Sequence, residues 1–132
     1  MSGHTLEEIA QRHGIVLLLE FGSAVAGRLH ARRDRDIAVL LRQRRLTLME
    51  QGELTHDLQG LFPGREVDLA IVNSADPLFL KQITQCCRLL YGPPRRLHEL
   101  RMYAFKRYQD HRRYLVQEAR YVTRTLDRLE RS

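Results

Sequence analysis

The sequence predicts an α+β fold, a small mixed β-sheet packed with helices and continued by a long C-terminal helical tail. Three observations carry this. Short apolar runs of strand length recur at Ile15 to Phe21, Asp36 to Leu41 and Glu66 to Val72. Stretches between them place apolar residues at spacings of three and four and open on capping residues. After Tyr91-Gly92-Pro93-Pro94 the same spacing runs to the end, through Leu97, Leu100, Ala104, Tyr108, His111, Leu115, Ala119, Val122, Leu126 and Leu129.

Each element follows from its own residues. Thr5 with Glu8 three positions on is a capping-box pattern, so a helix runs from about Leu6 to His13 and Gly14 ends it. The Ile, Val, Leu and Phe of residues 15 to 21 make a buried strand, and residues 36 to 41 make a second. Leu46, Met49, Leu54, Leu58 and Leu61 have helical spacing, weakened in the middle by Gly52. Pro63-Gly64 is a turn, and Glu66 to Val72 is a third strand. Ser74 or Asp76 caps a following helix with Pro77 in its first turn. An unbroken helix over 95 to 131 would span roughly 55 Å, more than a domain of this size is wide, so the tail kinks, folds back or projects. All five tyrosines lie at or beyond residue 91, and an apolar, aromatic stripe on a projecting helix suits a protein partner.

A chain of 132 residues makes a single domain. It divides into a core over 1–94 and a tail over 95–132, the tail serving for partner docking. At 43% hydrophobic and 29% charged residues the composition is that of a soluble globular protein. The longest apolar run, Ile15 to Leu19, is far short of the ~20 residues of a membrane span. The first residues have neither a basic region nor an apolar one, so no secretory signal is expected and a cytoplasmic location follows. Cys86 and Cys87 are adjacent and make a poor staple, which reads as two free thiols in a reducing compartment. None of the six histidines sits at zinc-ligand spacing. Residues 95–132 hold eleven Lys/Arg against five Asp/Glu, so the whole net charge of +6 lies in the tail. Such a segment can meet nucleic acid, an acidic partner or only water.

The carboxylates are the chemical signal. Side chains alternate along a strand, so Asp34, Asp36, Ala38 and Leu40 share one face, as do Asp68, Ala70 and Val72 on the third strand. If the two strands are neighbours, three acids converge, each strand following them with a small alanine that leaves room for something bulky. Close carboxylates repel unless a cation neutralises them, and an all-oxygen set suits Mg²⁺ or Mn²⁺. The bland alternative is that these acids pair with Arg32, Arg33 and Arg35 at the surface. Gly22-Ser23 adds a strand-end glycine that admits a close backbone approach, with amides and a hydroxyl suited to a phosphate. A phosphate seat facing metal-binding carboxylates is the equipment of phosphoryl or nucleotidyl transfer.

Gly22-Ser23, ten intervening residues and Asp34-Arg35-Asp36 resemble the signature of the DNA polymerase β-like nucleotidyltransferase superfamily. The stretches LEFGSAVAG, DRDIAVLL and REVDLAIVNSADPLFLKQITQCCRLLYG are similar to the first, second and third strands and the following helix of its minimal nucleotidyltransferase (MNT) members, the MntA-type antitoxins paired with HEPN toxins. AFKRYQDHRRYL is similar to their C-terminal helix. The resemblance implies an Mg²⁺-dependent transfer of AMP from ATP to a tyrosine hydroxyl of a HEPN ribonuclease. Asp34, Asp36 and Asp68 would be the metal-binding and catalytic residues, Asp68 also positioning or deprotonating the acceptor. Gly22, Ser23, Asp34 and Asp36 would bind the nucleotide. No Arg-x4–6-His motif is present, so the ribonuclease would be a separately encoded protein and the assembly a hetero-oligomer.

Four positions depart from the family pattern. Ala24 and Ala26 stand where members often carry basic residues, leaving triphosphate contacts to Arg28, Arg32 or Arg33. Glu20 replaces an apolar residue and is either a fourth acid near the site or the partner of a nearby arginine. Gly92 follows Tyr91 where an acid is frequent. Two other functions compete: an antitoxin that neutralises by binding alone, and nucleotidyl transfer to RNA or a small molecule. Direct nucleic-acid binding is the lesser alternative, since no aromatic-and-glycine RNA motif accompanies the basic tail.

Overall fold

The computed structural model describes residues 5–22, 34–43 and 45–131. Helix α1 (Leu6–His13) starts at Thr5, whose side chain accepts from the Glu8 amide, and stops at Gly14 in the left-handed region (φ 67°). Strand β1 (Ile15–Phe21) and strand β2 (Arg35–Leu41) pair antiparallel. Helix α2 (Leu48–Gln59) is shorter than the periodicity suggests. Thr47 and Glu50 close a full capping box at its start, a feature the leucine spacing does not reveal and worth about 1 kcal/mol. The Pro63-Gly64 turn leads into β3 (Val67–Ile71), which runs parallel to β2, as the intervening helix allows. A 3₁₀ turn (Val72–Ser74) precedes α3 (Pro77–Gln85), where Asp76 is the cap and Pro77 the first residue.

The stretch after α3 corrects the sequence reading. Cys87–Tyr91 is a fourth strand, β4, paired antiparallel with the free side of β1. Arg88 breaks its apolar run and only five residues are involved, so periodicity alone carries little signal. The sheet order is β3-β2-β1-β4, and one parallel pair beside two antiparallel ones makes it mixed, as expected.

Helices cover both faces. Leu18, Ile37, Val39 and Val67 meet Ile9 and Ala10 of α1 and Leu54 and Leu58 of α2 in one cluster. Leu17, Leu19 and Ala38 meet Leu80 and Ile83 of α3 and Leu97, Leu100 and Ala104 of the last helix in the other. Leu17, Leu18 and Leu19 are all fully buried, contributing roughly 2 kcal/mol each. That explains why the five-residue apolar runs Ile15 to Leu19 and Ile37 to Leu41 lie on the two inner strands. His13 Nε2 lies 2.6 Å from Asp57 Oδ2 and ties α1 to α2. Both thiols are free, Cys86 exposed and Cys87 half-buried.

The tail is one helix, α4 (Pro94–Arg131). Of the three courses open to it, it takes the third. Leu97, Leu100 and Ala104 are buried against the body, and Lys81 sits 4.2 Å from the Tyr108 ring centroid. Beyond His111 almost every described side chain is exposed, including Leu115, Val122 and Leu126. No described helix is long and apolar enough to cross a membrane.

Candidate active site

The site forms where the β2 and β3 starts meet the end of β1. Parallel pairing sets Asp36 against Asp68 and Ala38 against Ala70, so the two acids are neighbours on one face. Several bonds fix this register. The Arg35 amide donates to the Glu66 carbonyl at 2.8 Å. Gln59 Oε1 accepts from the Val67 amide at 2.9 Å, while its Nε2 donates to the Phe62 and Arg65 carbonyls and closes the turn before β3. At the far end Asn73 bonds both the amide and the carbonyl of Leu41, at 2.9 and 2.8 Å. Pattern reading gives no sign of Gln59 and Asn73, because a polar residue in a turn has many ordinary uses.

Across β1, Phe21 stands opposite Asp36 and packs edge-on against Phe79, ring centroids 6.0 Å apart. Gly22 follows with φ 87°. The positive φ is what calls for glycine, and a β-carbon there would push the Asp36 carboxylate aside. Ser23, with Ala24, Ala26, Arg28, Arg32 and Arg33, lies outside the described residues.

The electrostatics bear the mark of clustered acids. Asp36 has its pKa raised, first by burial, then by the negative charges of Asp68, Asp34 and Glu20 in that order. Asp34, just before β2, and Asp68 are exposed and Asp36 is half-buried. Asp34 and Asp68 therefore both lie within electrostatic reach of Asp36. Among the described residues, however, no group of three or more His, Cys, Asp or Glu side chains is set to hold a metal by itself. The donor set suits an ion shared with a ligand: Mg²⁺ is usually held by one or two carboxylates together with substrate phosphates and water.

One sequence reading is corrected here, and a second, left open between two alternatives, is decided. Ala38 is fully buried beneath α3 and α4, and Ala70 packs against the same cluster. Their small size admits the helices rather than a ligand. Glu20 stands opposite Ile37 and so faces α1 and α2, away from Asp36. Of its two readings the arginine partnership holds: Arg88 Nη2 is 2.6 Å from Oε1, and Arg35 Nη1 is 3.0 Å from Oε2. The bland pairing of Arg35 with Asp34 and Asp36 gives way to this one.

Residues 4–96 match the family described as Polymerase beta, Nucleotidyltransferase. The chain belongs to the polymerase beta nucleotidyltransferase family. Solved structures share this nucleotidyltransferase fold. A chain of a toxin–antitoxin crystallised with AMP-PNP superposes with a TM-score of 0.67 at 23% identity, over 86% of this chain and 94% of that one. A chain of a tri-AMPylated Shewanella oneidensis HEPN toxin in complex with MNT antitoxin gives 0.63 at 20% identity, over 86% and 92%. A chain of the toxin–antitoxin MntA–HepT gives the same values. No curated protein matches the chain.

The geometry can be tested at Gly22 and at Asp36. Gly22→Ala should lower the thermal unfolding midpoint through a left-handed-region cost of about 1–2 kcal/mol and displace the Asp36 carboxylate. An unchanged midpoint would contradict the left-handed conformation at residue 22. A raised folded-state pKa means that ionising Asp36 opposes folding, by an amount that grows from the unfolded pKa up to the folded one. Asp36→Asn should therefore stabilise the metal-free chain at neutral pH, with the gain vanishing below the acid range of an ordinary aspartate. Denaturant titrations at both pH values check this.

Proposed function

We propose that this protein is an antitoxin that transfers AMP from ATP to a tyrosine hydroxyl of a cognate HEPN ribonuclease, in the cytoplasm and with Mg²⁺. The observation that carries the reading is the in-register pairing of Asp36 with Asp68 beside Gly22, within a chain of the nucleotidyltransferase family. The neighbouring structures supply the direction. One toxin–antitoxin holds AMP-PNP, and one HEPN toxin beside an MNT antitoxin carries AMP.

In this reading Gly22 and Ser23 seat the distal phosphates, where the absent side chain of residue 22 lets the backbone approach closely. Asp34 and Asp36 would hold the metal together with the nucleotide phosphates, and Asp68 would face the acceptor. When bound, Mg²⁺ supplies charge stabilisation to the attacking and leaving oxygens. Asp68 orients the hydroxyl and takes its proton. The acceptor oxygen then bonds to the α-phosphorus, the bond to the bridging oxygen breaks, and pyrophosphate leaves. In-line geometry is the main demand of such transfers, and in this reading the β2/β3 register holds Asp36 and Asp68 for it, with Asp34 at the mouth of β2.

The HEPN protein would dock on α4. The stripe that buries Leu97, Leu100 and Ala104 continues past the body as exposed Leu115, Val122 and Leu126. This stripe is also what favours the second reading, neutralisation by binding alone, since docking does not need the carboxylates.

One experiment separates the two. Wild-type protein, ATP, Mg²⁺ and the toxin should give toxin heavier by AMP in intact mass spectra. Asp36→Ala should cut the rate at least about 100-fold, while Leu126→Arg should keep the fold but lose toxin in co-purification. Undiminished transfer by Asp36→Ala refutes the catalytic reading, and full protection by that variant supports occlusion.

A further inference from the structure

Glu20 is a fully buried acid on the central strand, and the transfer chemistry makes no use of it. A buried carboxylate costs several kcal/mol unless it is paired, and Glu20 has two partners from opposite sides. Arg88, on β4, is more than half exposed and shares its charge with water, whereas the Arg35 side chain is only 26% exposed. Arg35 is the informative partner because it lies between Asp34 and Asp36 in sequence.

Simple electrostatics gives Arg35 two other anions to choose from. Strand alternation sends its side chain to the α1/α2 face, where the guanidinium lies 4.9 Å from the Phe62 ring centroid. Among the described residues its Nε is buried with no hydrogen-bond partner. Packing and the single charge of Glu20 hold it there, not a saturated hydrogen-bond set. With the Glu20 charge removed, only packing on Phe62 opposes a swing of this long side chain around the strand start toward the acids that flank it in sequence.

We infer that Glu20 is a positioning residue, holding the Arg35 guanidinium on the far face of the sheet so that Asp34 and Asp36 stay open to a divalent cation. This rests on the proposed reading of the carboxylates as metal-binding. Glu20 lies close enough for its charge to register at Asp36. The device gives β2 an arginine that anchors the strand start through its backbone bond to Glu66 without letting that arginine neutralise the site.

The test is direct titration of Mn²⁺ in the presence of AMP-PNP, followed by calorimetry, with circular dichroism melts to confirm folding. Glu20→Gln should require about five-fold more Mn²⁺ for half-saturation. Arg35→Gln should bind at least as tightly as wild type, because Arg35 only competes. The double variant Glu20→Gln with Arg35→Gln should return to within about two-fold of wild type. A folded Glu20→Gln that titrates like wild type overturns the inference, as does a double variant as weak as Glu20→Gln alone. Should Glu20→Gln fail to fold, Arg35→Gln decides alone, and weaker binding by it is contradictory. The readout does not involve toxin, so a failure of AMP transfer leaves the role of Glu20 standing. Wild-type protein that binds no Mn²⁺ here refutes the metal site and the role of Glu20 with it.

Discussion

The parallel pairing of β2 with β3 is the constraint on which the site depends. It places Asp36 beside Asp68, and a slip of one residue would send each acid to the opposite face, into the α1/α2 core. The register is held by backbone bonds and by Gln59 and Asn73, one at each end. It is also held by apolar alternation, since Ile37, Val39, Val67 and Leu69 pack on one side and Ala38 and Ala70 on the other. The residues that build the core thus also aim the carboxylates.

That arrangement works against stability locally. Burial and then the clustered acids raise the pKa of Asp36, and Gly22 gives up backbone entropy beside its carboxylate. The fully buried leucines of β1 and the two helical layers offset these costs. Such conflict between local preference and fold is expected where a structure keeps chemistry. The Glu20–Arg35 pair belongs to the same pattern: a buried ion pair is weak evidence for stability, and this one stands directly behind the acids.

Much of this is legible in the sequence. The first three strands, α1, α3 and the mixed helix-and-sheet class follow from period and caps, and the Asp34, Asp36 and Asp68 cluster follows from strand alternation once neighbourhood is assumed. What is not legible has physical reasons. β4 is short and interrupted by Arg88, whose apolar stem and charge are justified only by Glu20 across the sheet. Parity with Gly22 leaves Glu20 ambiguous, which only knowledge of the opposite partner, Ile37, resolves. The alanines look like space for a ligand because sequence does not show that α3 and the start of α4 cover them. The course of α4 itself stays open, because an amphipathic stripe looks the same whether a body covers it or a partner does.

The central claim is that the Asp36–Asp68 register is a divalent-cation and triphosphate site. A crystal structure of the protein grown with Mn²⁺ and AMP-PNP, with anomalous data at the manganese edge, tests it most directly. An anomalous peak should appear within coordination distance of Asp36, with the nucleotide phosphates on Gly22 and Asp68 facing the α-phosphorus. A nucleotide bound elsewhere, or carboxylates without a metal at saturating Mn²⁺, would contradict it.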